Sequence, residues 1–166
     1  MKNHDATTVV GWLLAAGIGI SLVGCGIYSF SGSTLPTHIR TVAVPLFDDD
    51  TPEFGIAQDL TDAVIDAITK DNTLKIANPP GHDSMLRGRI LRITDGPGQY
   101  NRDETVTDYR VTVNVHVSFE DIREQKILWE DTLSQWGSYS SDREEGIRSA
   151  LEKIATDILT RTVSSW

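Results

Sequence analysis

Hydrophobic and polar positions alternate most cleanly between Tyr109 and Phe119. Tyr109, Val111, Val113, Val115, Val117 and Phe119 share one face, and Arg110, Thr112, Asn114, His116 and Ser118 share the other. A period of two predicts an antiparallel strand with one face on a core and one face polar. Residues 121–125 then read as a turn and 126–136 as the partner strand. Upstream, Thr41 to Phe47 reads as a strand, with Pro45 marking an edge or the strand's end. Asp48-Asp49-Asp50 reads as a turn and Leu74-Lys75-Ile76 as a short strand. A longer strand runs from Ser84 to Thr94 and is closed by the turn signal Asp95-Gly96-Pro97-Gly98.

Two segments carry a helical period instead. Ile56, Leu60, Ala63, Val64, Ala67 and Ile68 fall on one stripe, with Thr51 as N-cap, Pro52 at the first helical position, Glu53 in the first turn and Asp71-Asn72 at the end. Ile147, Ala150, Leu151, Ile154, Ile158 and Leu159 form a second stripe, preceded by Ser141-Asp142-Arg143-Glu144, which fits a capping box. The order β-α-β-β-β-β-α gives an α+β fold. Each amphipathic helix and the one-sided sheet needs an apolar partner, so the prediction is a two-layer α/β sandwich. Its sheet is mixed and mostly antiparallel, with two helices packed on one face. The helical crossover predicts that the first two strands are parallel or separated by another strand, and the rest is expected to be an antiparallel meander.

The first residues have a different character. An apolar run from Val9 to Val23 follows Lys2. It is short for a transmembrane helix but suits the apolar region of a signal peptide, about 7–15 residues. Leu22-Val23-Gly24-Cys25 resembles a bacterial lipobox: the small Gly24 admits a peptidase, and Cys25 offers the thiol that takes a diacylglyceryl group. The freed amine of Cys25 then takes an N-acyl chain such as palmitate, and several chains make a stable anchor where one alone is marginal. The expected organisation is a removed signal over 1–24, a lipidated N-terminus and tether over 25–38, and the sandwich over 39–166. Gly26 rather than Asp follows the cysteine, which favours the outer membrane over retention at the inner one.

Charge and chemistry narrow the function. Lys2 and Asp5 cancel, so the net charge of −9 belongs to the part after the signal, which argues against nucleic acid. Cys25 is the single cysteine, so its lipidation leaves no thiol for a disulfide, a redox pair or a metal site. The chain has no Gly-x-Ser-x-Gly elbow, phosphate-binding glycine loop or His-Glu-x-x-His, so no enzyme, metal or cofactor is expected beyond the covalent lipid. His4, His38, His82 and His116 are scattered, and His116 reads as a solvated strand histidine. Asp48-Asp49-Asp50 with Glu53 could hold a hard cation such as Ca²⁺, but a solvated turn favouring the next helix's positive end is the better reading. Arg87 and Arg89 alternate with Leu86 and Ile90, and Arg110 lies on the polar side of the long strand. These three either form a local positive patch or are ordinary strand charges paired with nearby carboxylates, the plainer reading.

Cys25 to Gly32 followed by Leu35-Pro36-Thr37-His38-Ile39-Arg40-Thr41-Val42-Ala43-Val44-Pro45-Leu46-Phe47 resembles the opening of the LPS-assembly lipoprotein LptE family. The likeness continues in Leu60-Thr61-Asp62-Ala63, Asp108 to Val113, Ile127-Leu128-Trp129-Glu130 and the closing helix. The resemblance implies a non-catalytic lipoprotein on the periplasmic side of the outer membrane. It would partner the LptD β-barrel as plug and assembly aid and serve lipopolysaccharide delivery. The chain departs from the family in the acidic turn Asp48-Asp49-Asp50-Thr51 and in lacking the expected Gly before Lys126. On this reading Arg87, Arg89 and Arg110 become candidate contacts for lipopolysaccharide phosphates, which arginine matches with bidentate hydrogen bonds. The alternatives are another envelope lipoprotein, either an activator of cell-wall synthesis or a secretion-pore lipoprotein. The tether over 26–38 is short for the first, and the second would need a membrane-crossing strand whose apolar side faces lipid.

Overall fold

A computed structural model describes residues 35–98 and 108–164, so the expected signal peptide, Cys25 and most of the tether lie outside the described residues. Its elements are β1 (Thr41–Ala43), β2 (Asp48–Asp49), α1 (Ile56–Asp71), β3 (Lys75–Ile76), β4 (Ser84–Pro97), β5 (Tyr109–Asp121), β6 (Lys126–Tyr139) and α2 (Arg143–Ser164). They build the two-layer α/β sandwich, a mixed sheet with both helices on one face. The sheet order is β3-β1-β4-β5-β6, with β2 also paired to β4. β4, β5 and β6 are antiparallel neighbours. β1 is parallel to both β3 and β4, as the helical crossover requires. The meander therefore starts only at β4, because β1 lies between β3 and β4.

Several boundaries differ from the sequence reading, each for a local reason. The first strand ends at Ala43, before Val44-Pro45, and the chain rejoins the sheet as β2. Asp48 and Asp49 pair with Arg89 and Ile90 of β4, so the acidic segment is a strand and not only a turn. The first helix begins at Ile56, not at Pro52, and its N-cap is Gly55 at φ 84°. Thr51 instead sits in a turn in which its backbone N–H and hydroxyl both donate to Asp49 Oδ1. α1 closes at Asn72, at φ 67°, as the sequence suggests. β4 and β6 run three residues past their expected ends, because the cross-strand ladder carries Asp95, Gly96 and Pro97 opposite Val111, Arg110 and Tyr109. The cap of α2 is Asp142, whose Oδ1 accepts the Glu144 N–H at 3.0 Å.

The core lies between the layers. Val111, Val113, Val115, Val117 and Phe119 of β5 are fully buried, and the last four share one apolar cluster with Leu60, Val64 and Ile68 of α1 and Ile154 and Ile158 of α2. Tyr109, at the end of the same stripe, is exposed and stacks on Tyr139 at 5.6 Å. Two glycines allow close packing. Phe47 lies directly on Gly88, where an added Cβ would come within 2.2 Å of the ring. Gly137 of β6 meets the backbone of Gly146, so that α2 settles onto the sheet edge.

Buried or half-buried carboxylates tie the loops to this frame. Asp83 Oδ2 accepts the N–H groups of Arg40 and Thr41 and the Thr41 hydroxyl, fixing the entry into β1. These bonds hold the Asp83 carboxyl below the usual carboxylate range, the Arg40 N–H contributing most. Asp121, fully buried, accepts His38 Nε2 at 2.6 Å and the N–H groups of Arg123 and Glu124. Burial alone would raise its carboxyl, yet the Glu124 N–H, the His38 ring and the Arg123 N–H bring it below the ordinary value.

Candidate functional site

The helices cover one face of the sheet, so the other is the broad polar surface of the sandwich. Cross-strand register brings Arg87 opposite Ser118, Arg89 opposite His116 and Gly96 opposite Arg110. On β6 the same face carries Glu130, Thr132, Ser134 and Trp136 opposite Ser118, His116, Asn114 and Thr112. The three arginines singled out from the sequence therefore share this face, and each has a different environment. Arg87 pairs with Glu120 at 2.8 Å. Arg89 reaches Asp48 at 3.2 Å and Asp50 at 3.8 Å, engaging two of the four acids that could have bound a cation. Arg110 has no carboxylate partner among the described residues. Its guanidinium lies 4.0 Å from the centre of the Trp136 ring, a cation–π geometry.

Sequence reasoning missed Arg92. Strict alternation after Ile90 would send it to the helix side. The register shifts between Ile90 and Arg92, and Arg92 then stands opposite Asn114 on the open face. It is exposed and has no ion-pair partner among the described residues. No residue type in the sequence announces that bulge; only the ladder reveals it.

The face is close to neutral. Arg87, Arg89, Arg92 and Arg110 are set against Asp48, Asp50, Glu120 and Glu130. His116 completes it, its Nε2 2.9 Å from Glu130. Arg92 and Arg110 are therefore the cations available to an anionic ligand without breaking a carboxylate pair, while Arg87 and Arg89 are pre-oriented by theirs. Trp136 adds a flat apolar surface that is 41% exposed. Lys153 of α2 caps the sheet edge beside it, donating to the Trp136 carbonyl at 2.7 Å. Such a surface can recognise a phosphate-bearing amphiphile by guanidinium hydrogen bonds and apolar contact.

The remaining sequence candidates are dispersed. His38 is held by Asp121, both ring nitrogens of His82 are buried without a hydrogen-bond partner, and His4 lies outside the described residues. His38, Asp121 and Glu124 offer one ligand atom each within 4.8 Å of one another. Both Asp121 oxygens in that group are already engaged. Among the described residues no helix is long and apolar enough to cross a membrane.

The LptE family, described as lipopolysaccharide-assembly, matches residues 39–162. No curated protein matches the sequence. Among solved structures the fold is similar to the hypothetical protein CT253 from Chlamydia trachomatis, at TM-score 0.57 and 10% identity over 74% of this chain and 95% of that one. It is also similar to protein XCC0632 from Xanthomonas campestris, at TM-score 0.56 and 14% identity over 77% and 86%. A PelC dodecamer from Paraburkholderia phytofirmans gives TM-score 0.53 and 17% identity over 80% and 95%. At these identities the likeness is one of fold.

Proposed function

The chain belongs to the LptE lipopolysaccharide-assembly family, and from that premise we propose that it is a non-catalytic lipoprotein of lipopolysaccharide export. In this reading it is anchored by acyl chains on Cys25 to the periplasmic side of the outer membrane. It forms a complex with an LptD-type β-barrel, as plug and assembly aid, and lipopolysaccharide reaches the cell surface through that complex. The observation that carries the proposal is the extent of the family match, which spans every described element from β1 to nearly the end of α2. The open sheet face supports it, because Arg92, Arg110 and Trp136 supply what a phosphorylated lipid needs. The pore-forming alternative is disfavoured because the apolar stripe of β5 is buried under two helices and leaves no lipid-facing side.

Mild-detergent pulldown of the tagged full-length lipoprotein tests the reading. Co-purification of a large outer-membrane barrel is the expected result, and recovery of a cell-wall synthase instead overturns it. Lipopolysaccharide capture by the same preparation should fall when Arg87, Arg89 and Arg110 are changed together to Glu, and further when Arg92 is added. Unchanged capture with an intact fold removes this face as the lipid contact. Cys25→Ser should separate from membranes unless the barrel retains it.

A further inference from the structure

The helix layer has an outer side, and it differs in character from the sheet face. Leu60, Val64 and Ile68 of α1 point into the core, which leaves Ala63 and Ala67 on the flank toward α2. With Ile147, Leu151, Ala155 and Leu159 of α2 they floor an open groove of about 1240 Å³. That exceeds the roughly 300–1,000 Å³ of small-molecule pockets. The groove follows α1, whose 16 residues span about 24 Å at 1.5 Å rise per residue. At one end stands Phe54, fully exposed and presented by the turn at Gly55.

The walls are acidic. Seven acidic and three basic residues line the groove, a local charge of −4 within the chain's −9. Asp59, Asp62 and Asp66 stand along the α1 wall at helical spacing, all exposed. Asp66 has only a long contact of 3.9 Å with Lys70, and Asp62 accepts a neutral Gln58 amide at 2.9 Å. Anionic lipids and phosphates are repelled here, in contrast to the near-neutral sheet face with its uncommitted arginines.

We propose that the α1–α2 groove is a docking site for a basic amphipathic helix of a partner protein. Its apolar side would lie on the alanine and leucine floor and against Phe54, and its Lys or Arg residues would face Asp59, Asp62 and Asp66. A helix suits the groove better than an extended strand. The walls are side chains and offer no backbone ladder, so an occupant must satisfy its own N–H and C=O groups over an apolar floor. The inference does not depend on the export reading, since it rests on groove shape and charge alone.

The test uses the full chain in nanodiscs of zwitterionic lipid and a labelled 18-residue Leu/Lys helical peptide, read by fluorescence anisotropy against empty discs. A Leu/Glu peptide of the same apolar pattern is the counterpart. The Lys peptide should bind the loaded discs above background, and the Glu peptide should not. Asp59→Lys, Asp62→Lys and Asp66→Lys together should weaken the Lys peptide at least about tenfold and admit the Glu peptide. Phe54→Ala, at a fully exposed position, should weaken the Lys peptide several-fold, and it serves if the triple variant fails to fold. Equal binding of both peptides, binding no greater than to empty discs, or affinity unchanged in Phe54→Ala overturns the proposal.

Discussion

Asp95 and Arg143 form a bidentate pair that joins the far end of β4 to the first turn of α2. Arg143 Nε lies 2.9 Å from Asp95 Oδ1 and Nη2 lies 2.9 Å from Oδ2. The same Nη2 donates to Glu53 Oε1 at 2.9 Å, and the Tyr139 hydroxyl donates to Asp95 Oδ1 at 2.9 Å. One guanidinium thus gathers the loop before α1, β4 and the start of α2, and Tyr139 adds the end of β6. It sits in the first turn of α2, beside Glu144 and Glu145, which suit the helix's positive end.

This knot should make stability depend on pH in a defined direction. The Arg143 guanidinium holds the Asp95 carboxyl below the usual carboxylate range, with burial opposing and Tyr139 assisting. A carboxylate with a depressed folded-state pKa contributes stability above its unfolded value, about 3.9, and loses it as pH falls through the folded one. Arg143→Met keeps the stem and removes the charge. Both partners are about one-third exposed or more, at 34% and 40%, so the loss at neutral pH is held to about 1 kcal/mol. Urea unfolding should show a constant gap between wild type and Arg143→Met from pH 7 to pH 5, narrowing below about pH 4. A gap that widens with acid would contradict the assignment.

His38 and Asp121 should matter more, because Asp121 is fully buried. The pair pins the segment before β1 to the end of β5 and the turn that follows. His38→Ala removes a hydrogen bond to a buried carboxylate and should cost about 1.5–3 kcal/mol. Asp121→Ala also frees the N–H groups of Arg123 and Glu124 and should cost more. Thermal unfolding by circular dichroism, with both variants in the same detergent, gives the order. Equal Tm values would mean that the turn does not need its cap.

Gly137 offers a steric test with an internal control. A Cβ there would lie 1.9 Å from the Gly146 carbonyl oxygen, a backbone atom, so α2 would have to move off the sheet edge. Gly137→Ala is expected to cost about 3 kcal/mol, the upper part of the usual overpacking range. Gly96, two strands over on β4, has nothing within 4 Å of an added Cβ. Gly96→Ala should be neutral or gain about 0.5 kcal/mol from lost chain entropy. If the two variants unfold at the same temperature, the close approach of α2 at Gly137 is not what positions the helix.

Elements that carry a strict period were legible in the sequence. β5 buries the alternating valines and Phe119, and both helices bury the stripes that their spacing marks. What escaped was set by backbone geometry or long-range pairing. The bulge that turns Arg92 to the open face leaves no compositional mark. Asp48 and Asp49 look like turn residues because their strand pairing depends on Arg89 and Ile90, some forty positions away. The Asp83 clasp on Thr41 depends on β1 and β4 being parallel neighbours. For the open face, its three expected arginines were foreseeable from alternation. The carboxylate partners of Arg87 and Arg89 were not, since these come from two different strands and a loop.

The missing glycine before Lys126 has a physical counterpart in the same hairpin. Gln125 occupies the position and takes φ 51°, in the left-handed region where a Cβ crowds the following carbonyl. The turn's geometry is therefore the one glycine favours, imposed on a residue that resists it, and the Asp121 cap on Arg123 and Glu124 helps hold it there. Gln125→Gly should relieve about 1 kcal/mol of that strain, less the extra entropy that glycine carries in the unfolded chain, for a net gain below about 1 kcal/mol. A second cycle sharpens the reading. In an Asp121→Ala background the turn loses its cap and can relax, so the same substitution should gain less. Urea midpoints for the four proteins give the coupling directly. A gain of equal size in both backgrounds would show that the cap and the left-handed residue act independently.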